Sequence, residues 1–163
     1  MTDTVSQRPV VVVEDSDEDY EVTVWALRKA GAANPVRRCA NAAAIADLLT
    51  GRSGLFGSTP ASHPLLVLLD LNLPGRNGLE TLRDLRGDSR WQTVPVVIVS
   101  TSKSPAEVSA CYRLGAAGYL AKPLDLDAFA AAMRRLVAYW METVVPAVPD
   151  DLSAHEILAG GKP

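Results

Sequence analysis

The fold is decided by one stretch of the chain, Leu65-Leu66-Val67-Leu68-Leu69-Asp70, which is followed by a turn at residues 71–78, LNLPGRNG. Its unbroken apolar run predicts a strand buried on both faces of a parallel sheet. Asp70 is therefore expected at the carboxyl end of that strand, where open α/β sheets bind their ligands. A second apolar run, at residues 10–13, ends in the same way at Glu14 and Asp15. Two acidic strand ends indicate a divalent cation site and an aspartate placed to receive a chemical group.

Strand and helix signals alternate along the rest of the chain. Predicted strands cover residues 10–13, 36–39, 65–69, 94–99 and 118–121. Predicted helices cover residues 17–30, 42–49 and 78–86, a segment opened by a capping box at Ser104 and closed by Gly115, and a last segment from Asp125 to about residue 142. This order favours a flavodoxin-like, doubly wound sheet of five parallel strands in the order 2-1-3-4-5, with five helices. One domain is expected over residues 8–145, with flexible termini at 1–7 and 146–163 and a surface loop at 51–64.

The composition is that of an ordinary globular chain. The 163 residues fit one domain, with 48% apolar and 21% charged residues. A net charge of -3 argues against nucleic acid as a partner, and the arginine pairs at 37–38 and 134–135 are expected to be solvated. The sequence contains no apolar run of about 18 residues, the length that a membrane-spanning helix needs, so no membrane association is expected. Cys39 and Cys111 are expected as reduced, buried thiols of a cytoplasmic protein.

The strand ends should bring five polar side chains to one edge of the sheet: Glu14, Asp15, Asp70, Ser100 and Lys122. Three carboxylates repel one another, and a bound divalent cation, best Mg²⁺, would relieve that repulsion. Lys122 could neutralise an anion built on Asp70, and the Ser100 hydroxyl could hydrogen-bond to it. Together these residues predict a phosphoryl acceptor with Asp70 as the nucleophile. Taken singly, each residue could equally be a turn former, a helix cap or part of a solvated loop.

Four motifs then identify a resemblance: VVED at 12–15, LLDLNLPGRNG at 68–78, VIVS at 97–100 and GYLAKP at 118–123. Together they resemble the receiver domain of two-component response regulators, over residues 8–141. The resemblance implies phosphorylation of Asp70 by a histidine kinase. It implies Mg²⁺ bound by Asp15, Asp70 and the backbone carbonyl of Asn72, with Glu14 acting through water. It implies that Ser100 and Thr101 bind the phosphoryl group, that Lys122 neutralises it, and that Tyr119 is the switch aromatic.

The sequence is more closely similar to the small single-domain receivers that serve phytochrome photoreceptor kinases. The cues are EDS at 14–16, LDLNLP at 69–74, the loop at 51–64 and YWMETVVP at 139–146. This similarity implies a phytochrome histidine kinase, a bacteriophytochrome, as partner, and signalling by conformational change or phosphorelay.

Two other classes of function stay open at this point. An aspartate-nucleophile phosphohydrolase would use the same strand end, but Asn72 stands where such enzymes carry their second aspartate, the general acid. A degenerate receiver that acts only as a binding module would not need the complete set of acids, serine and lysine. The chain is therefore expected to be a phosphoacceptor rather than an enzyme with turnover on small substrates.

Two surfaces are expected to contact partners. In the first predicted helix, Trp25 lies off the apolar stripe and is a candidate for kinase docking, although it could instead cover a neighbouring loop. In the last helix, one stripe (Phe129, Met133, Leu136, Trp140) should face the sheet, and the opposite stripe is small and apolar. The opposite stripe predicts a homodimer and comprises Ala128, Ala131, Ala132, Arg135 and Tyr139. The alternative is a monomer whose alanine-rich helix has high intrinsic propensity.

Overall fold

The computed structural model describes residues 4–55 and 63–147. The predictions for residues 1–3, for the centre of the loop at 56–62 and for the tail at 148–163 concern residues outside these ranges. Strands are β1 (Val10–Val13), β2 (Val36–Cys39), β3 (Leu66–Leu69), β4 (Val96–Ser100) and β5 (Gly118–Ala121). Helices are α1 (Thr4–Gln7), α2 (Asp17–Lys29), α3 (Ala42–Thr50), α4 (Gly78–Gly87), α5 (Pro105–Arg113) and α6 (Leu126–Val137). A 3₁₀ turn at Ser89–Trp91 and a π-helical turn at Ala138–Thr143 complete the described elements.

The strands form one parallel sheet in the order β2-β1-β3-β4-β5, as the sequence predicted. Alternate strand residues face opposite sides, so the core has two layers. Val11, Val67 and Ile98 pack with α3, α4 and α5, whereas Val12 and Leu68 pack with α2 and α6. Two local predictions of helix starts are confirmed, because the side chains of Asn41 and Asp125 accept hydrogen bonds from the first turns of α3 and α6.

Several details differ from the sequence prediction. The one-turn helix α1 and the tight turn that buries Trp91 were not predicted, because neither is long enough to show a hydrophobic period. Ser104 begins α5 without a side-chain capping bond, and Glu107 instead accepts a hydrogen bond from the Ser102 hydroxyl. Within the predicted surface loop at 51–64, Arg52 and Gly54 are exposed, whereas Leu55 and His63 are buried.

Candidate functional site

The register of two neighbouring strands builds the acidic cluster. Val13 of β1 pairs with Leu69 of β3, so the next residues, Glu14 and Asp70, lie side by side at the carboxyl edge of the sheet. The Asp70 amide continues the ladder by donating to the carbonyl of Val13 at 3.1 Å. Glu14 and Asp70 are only 3% and 7% exposed. Glu14, Asp15 and Asp70 each offer a carboxylate oxygen, and these atoms lie within 4.8 Å of one another. Oxygen ligands of this charge suit a hard divalent cation.

Lys122, which follows β5, supplies the positive charge of the site. Its Nζ lies 2.9 Å from Glu14 Oε2, 2.9 Å from Asp19 Oδ2 and 3.5 Å from Asp70 Oδ2. Burial opposes the charge of Lys122, but the hydrogen bonds to Glu14 and Asp19 and the nearby Asp70 raise its pKa above the ordinary value. Burial raises the pKa of Glu14, and the hydrogen bond from Lys122 counteracts part of that shift. The lysine therefore stays protonated among three carboxylates.

Asp19 is a member of the cluster that the sequence analysis missed. The acids in the first turn of α2 were interpreted only as a helix start. The sequence contains one signal that could have identified Asp19. It follows Glu14 and Asp15 by only a few residues, in the first turn of α2, and so must lie near the same strand end. Its contact with Lys122 joins residues 103 positions apart in the chain, which no local pattern reveals.

Ser100 of β4 and Tyr119 of β5 lie on the side of β3 opposite to β1 and Glu14. Ser100 is fully buried, and its hydroxyl oxygen accepts a hydrogen bond from the Ser102 amide at 3.2 Å. The Lys122 amide donates to the Ser100 carbonyl at 2.7 Å, which brings the ends of β4 and β5 together. Tyr119 is half-buried and its hydroxyl donates to the Ser102 carbonyl at 2.8 Å, whereas Thr101 is exposed. The predicted residues of this group thus come together around the β4–α5 loop.

The loop that follows Asp70 is held close to the strand end. The Asn72 amide donates to Asp70 Oδ1 at 3.1 Å, and the Gly78 amide donates to the Leu71 carbonyl at 3.1 Å. A Cβ atom at Gly78 would lie 2.5 Å from the Leu71 Cα and 2.6 Å from the Asp70 carbonyl oxygen. Only glycine fits this approach of the start of α4 to the backbone of the site.

The predicted partner surfaces lie on α2, and on α6 with the π-helical turn that follows it. Trp25 is 41% exposed, and the Lys29 ammonium lies 4.7 Å from the centre of its ring. Phe129, Met133 and Leu136 of α6 are buried, and Trp140, in the π-helical turn that follows, is half-buried against the core. The stripe proposed for dimerisation is less uniform than predicted: Ala131 and Ala132 are half-buried, and the exposed members are Ala128, Arg135 and Tyr139. A groove of about 230 Å³ between α2 and the β5–α6 connection exposes Leu124 and Leu126 beside Lys122, and the sequence analysis did not single out either leucine.

One prediction about charge is wrong in part. The arginine pair at 37–38 was expected to be solvated, and Arg37 is exposed. Arg38 instead lies half-buried against the β1–α2 connection, where it bonds to backbone and side-chain oxygens. A pair of adjacent arginines on a strand points to opposite faces, so the two residues meet different surroundings.

Comparison with known proteins agrees with this geometry. The profile of the response regulator receiver domain matches residues 10–134, and the chain belongs to that family. Among individual proteins, it is similar to the response regulator Rcp1 of Synechocystis sp., with 29% identity over 83% of this chain and 90% of Rcp1. None of the helices in the described part of the chain is long and apolar enough to cross a membrane.

Solved structures give the same relationship. The Mn(2+)-bound form of Rcp1 has a TM-score of 0.74 at 27% identity, covering 86% of this chain and 99% of that one. The response regulator RPA3017 in red light signaling of R. palustris has a TM-score of 0.76 at 30% identity with the same coverage. The phosphorylated cyanobacterial phytochrome response regulator RcpA has a TM-score of 0.75 at 26% identity, again with the same coverage. The chain is therefore a receiver domain similar to response regulators of phytochrome signalling.

Proposed function

We propose that this chain is a single-domain response regulator that accepts a phosphoryl group on Asp70 from a phytochrome histidine kinase. The receiver domain covers residues 8–145 in this proposal. The observation that carries it is the environment of Asp70, whose carboxylate is buried and receives the Asn72 amide on one oxygen, with Lys122 near the other. Such a carboxylate can act as a nucleophile while a fixed cation neutralises the charge that the phosphoryl group brings.

The transfer step balances without any further reactant. A carboxylate oxygen of Asp70 forms a bond to phosphorus as the bond from phosphorus to the donor breaks, and the leaving group is the kinase histidine or, with a small donor, acetate. The product is an acyl phosphate on Asp70 that carries about -1.5 to -2 charge at neutral pH. Lys122 Nζ is already within 3.5 Å of Asp70 Oδ2, so it can follow this charge.

We propose Mg²⁺ as the cofactor, with Asp15 and Asp70 and the backbone carbonyl of Asn72 as ligands and Glu14 acting through water. The proximity of the Glu14, Asp15 and Asp70 oxygens fits a divalent cation, and the similar protein Rcp1 has a Mn(2+)-bound form. A cation bound there would shield the charges of the carboxylate and the phosphoryl group as they approach.

We propose that Ser100, Thr101, Lys122 and Tyr119 convert phosphorylation into a conformational signal. The Ser100 hydroxyl would donate its proton to a phosphoryl oxygen, which would draw Ser100 toward Asp70 and shift the loop whose Ser102 amide donates to the Ser100 hydroxyl oxygen. Because Tyr119 donates to the carbonyl of that same Ser102, movement of the loop would release the tyrosine. The signal would pass to a protein partner or onward in a phosphorelay.

Incubation with acetyl phosphate and Mg²⁺ tests the function. The proposal expects one acid-stable, base-labile phosphate per chain, seen as a single 80 Da addition by mass spectrometry at acidic pH, as expected for an acyl phosphate. Continuous release of inorganic phosphate, in large excess over protein, would identify a phosphohydrolase. No incorporation by a folded protein would identify a degenerate receiver that acts only as a binding module.

We propose that the kinase docks beside Trp25 and the groove at Leu124 and Leu126. The two exposed leucines line the groove beside Lys122, and Trp25 is exposed on α2, the helix that forms the opposite wall of that groove. Exposed apolar side chains of this kind can anchor a partner helix. Trp25→Ala should slow transfer from the kinase about tenfold and leave transfer from acetyl phosphate unchanged. Equal slowing of both reactions would show that Trp25 acts on the structure of the site instead.

We propose a homodimer through α6 and the π-helical turn that follows it, with Ala128, Ala131, Ala132, Arg135 and Tyr139 at the contact. Tyr139 is 53% exposed and packs edge-to-face on Trp140 with ring centres 5.0 Å apart, which holds it ready for a partner. Sedimentation should show a dimer at tens of micromolar that Ala131→Glu/Tyr139→Glu converts to a monomer. A wild type that sediments as a monomer with and without phosphorylation would remove this contact.

We propose that the protein acts in the cytoplasm. Cys39 and Cys111 are free and buried, as expected for a cytoplasmic protein. We propose signalling partners that are proteins, with neither nucleic acid nor membrane as a direct ligand.

A further inference from the structure

We infer that Arg38 is a positioning residue that holds the β1–α2 connection in the conformation that binds the divalent cation. Its Nε donates to the Glu14 carbonyl at 3.1 Å and its Nη2 donates to the Asp15 carbonyl at 3.1 Å. Two consecutive peptide groups are therefore held by one rigid guanidinium fork. The inference rests on the proposed metal site, since Asp15 and Glu14 are the acids whose backbone Arg38 holds.

The guanidinium is itself held in place from the opposite side. Its Nη1 lies 2.7 Å from Asp17 Oδ1, and its central carbon lies 4.5 Å from the centre of the Tyr20 ring. Both partners belong to the first turn of α2, and the Arg38 side chain is only 24% exposed. Arg38 thus connects β2, the acidic connection and the start of α2 in one contact group. A side chain restrained on several sides can determine the conformation of a short loop.

The connection itself is short and carries the acids directly. Residues 14–16 lie between the end of β1 and the start of α2. The Glu14 amide donates to the Cys39 carbonyl at 3.1 Å, and the Ser16 amide donates to Glu14 Oε1 at 3.0 Å. Arg38 holds the carbonyls of the same segment. Because rotation of a peptide group turns the side chains on either side of it, loss of the Arg38 bonds would turn the carboxylates of Glu14 and Asp15 away from their common centre.

The sign of the effect separates positioning from charge. Arg38 is a cation beside the acidic cluster, so by Coulomb repulsion alone its removal would tighten the binding of a metal cation. If Arg38 acts by positioning the connection, its removal should instead weaken the binding of the metal cation. Arg38→Lys separates the two further, because lysine keeps the charge but cannot form the two-pronged contact. Arg37, the exposed neighbour on β2, provides a matched control for the loss of one positive charge.

The test is calorimetric titration of Mg²⁺ into the full chain, with no phosphodonor present. We expect Arg38→Ala and Arg38→Lys to raise the dissociation constant roughly tenfold, the lower end for groups that support metal ligands. Arg37→Ala should stay within about twofold of wild type, because Arg37 is exposed and the variant removes only one positive charge. Tighter binding by Arg38→Ala, or wild-type binding by Arg38→Lys, would overturn the positioning role.

A second measurement removes folding as an explanation. Amide hydrogen exchange of the metal-free proteins should be faster at Glu14 and Ser16 in both Arg38 variants, and unchanged in the core strand β4. Faster exchange throughout the sheet would show general destabilisation and contradict the inference. If wild type binds no Mg²⁺, the proposed metal site fails and this inference fails with it. If wild type binds Mg²⁺ and the Arg38 variants bind equally well, only the inference fails.

Discussion

Charged side chains are buried at both the carboxyl edge and the amino edge of the sheet, where the strands end and begin, but the groups that pair with them differ. At the carboxyl edge, Lys122 is surrounded by the carboxylates of Glu14, Asp19 and Asp70. At the amino edge, Arg8 is 7% exposed and donates to the carbonyls of His63 at 3.3 Å, Pro64 at 2.7 Å and Ala147 at 3.1 Å.

Arg86 follows the pattern of the amino edge. Its guanidinium donates to the carbonyls of Trp91 at 3.0 Å, Gln92 at 3.1 Å and Val94 at 2.7 Å, ahead of β4. Burial lowers the pKa of both Arg8 and Arg86. Backbone dipoles cannot rearrange without local unfolding, whereas ionised side chains can exchange partners when a cation or a phosphoryl group arrives. The amino edge is therefore built for stability, and the carboxyl edge for a change of state.

The strongest test of this contrast is Asp70→Asn. Asparagine has the same shape but is not a nucleophile, so phosphorylation by acetyl phosphate should fall to zero. The unfolding free energy without metal should be equal or higher, because Asp70 and Glu14 repel each other. Mass spectrometry and chemical denaturation measure the two effects. Asp47→Asn, at an exposed ion pair with Arg52, should change neither. Undiminished phosphate on Asp70→Asn would exclude Asp70 as the acceptor.

The reverse result is expected at the amino edge. Arg8→Met removes three hydrogen bonds and leaves three carbonyls without that donor, so it should lower the unfolding free energy by about 3 kcal/mol. The rate of phosphorylation by acetyl phosphate should stay within about twofold under conditions where the protein is folded. Arg37→Met, at an exposed position, is the control for stability. An Arg8→Met protein with wild-type stability would show that the three carbonyl contacts contribute nothing.

A smaller effect separates metal binding from stability within the carboxyl edge. Asp15→Asn removes one negative charge and one carboxylate from the acidic cluster. Mg²⁺ affinity should fall about tenfold or more, and the metal-free protein should be no less stable. Titration calorimetry and thermal melts in a chelating buffer give the two values. Asp15 is not a ligand if the affinity of the variant equals that of wild type.

The smallest effect concerns Cys39, which ends β2 at the carboxyl edge but belongs to the core. Burial raises the pKa of its thiol to about 11 from 9.0. The native state therefore holds this proton more tightly than the unfolded state, and the associated stability is complete below pH 9 and is lost as the pH rises toward 11. Between pH 8 and pH 10 the unfolding free energy of the wild type should fall by about 1 kcal/mol more than that of Cys39→Ala. If the unfolding free energies of the two proteins change in parallel over this pH range, the raised pKa of the Cys39 thiol is contradicted.

The parts of the molecule that sequence could predict are those with local or topological causes. Apolar runs located the strands, and Asn41 and Asp125 located helix starts, because each signal acts within a few residues. The rule that parallel strands end at one edge brought Glu14, Asp70, Ser100 and Lys122 together in advance, and the structure has them there.

What could not be predicted depends on long side chains that reach across elements. Arg38 bonds to residues 24 and 23 positions earlier, and Arg8 bonds to Ala147, 139 positions later. Asp19 meets Lys122 only once α2 and β5 are both in place. A charged residue on a strand end has the same local sequence whether it is solvated or buried, so composition and period cannot separate the two states.

The span of the Lys122 contacts has a consequence for the order in which the protein is made. Lys122 follows Glu14 by 108 positions and Asp70 by 52. On the ribosome, β1 and β3 are available for pairing well before β5 is synthesised, and that pairing brings Glu14 and Asp70 together without the lysine. The final third of the chain thus adds the countercharge after the earlier strands have paired, and a nascent chain that stops before residue 122 carries its acidic cluster without this lysine.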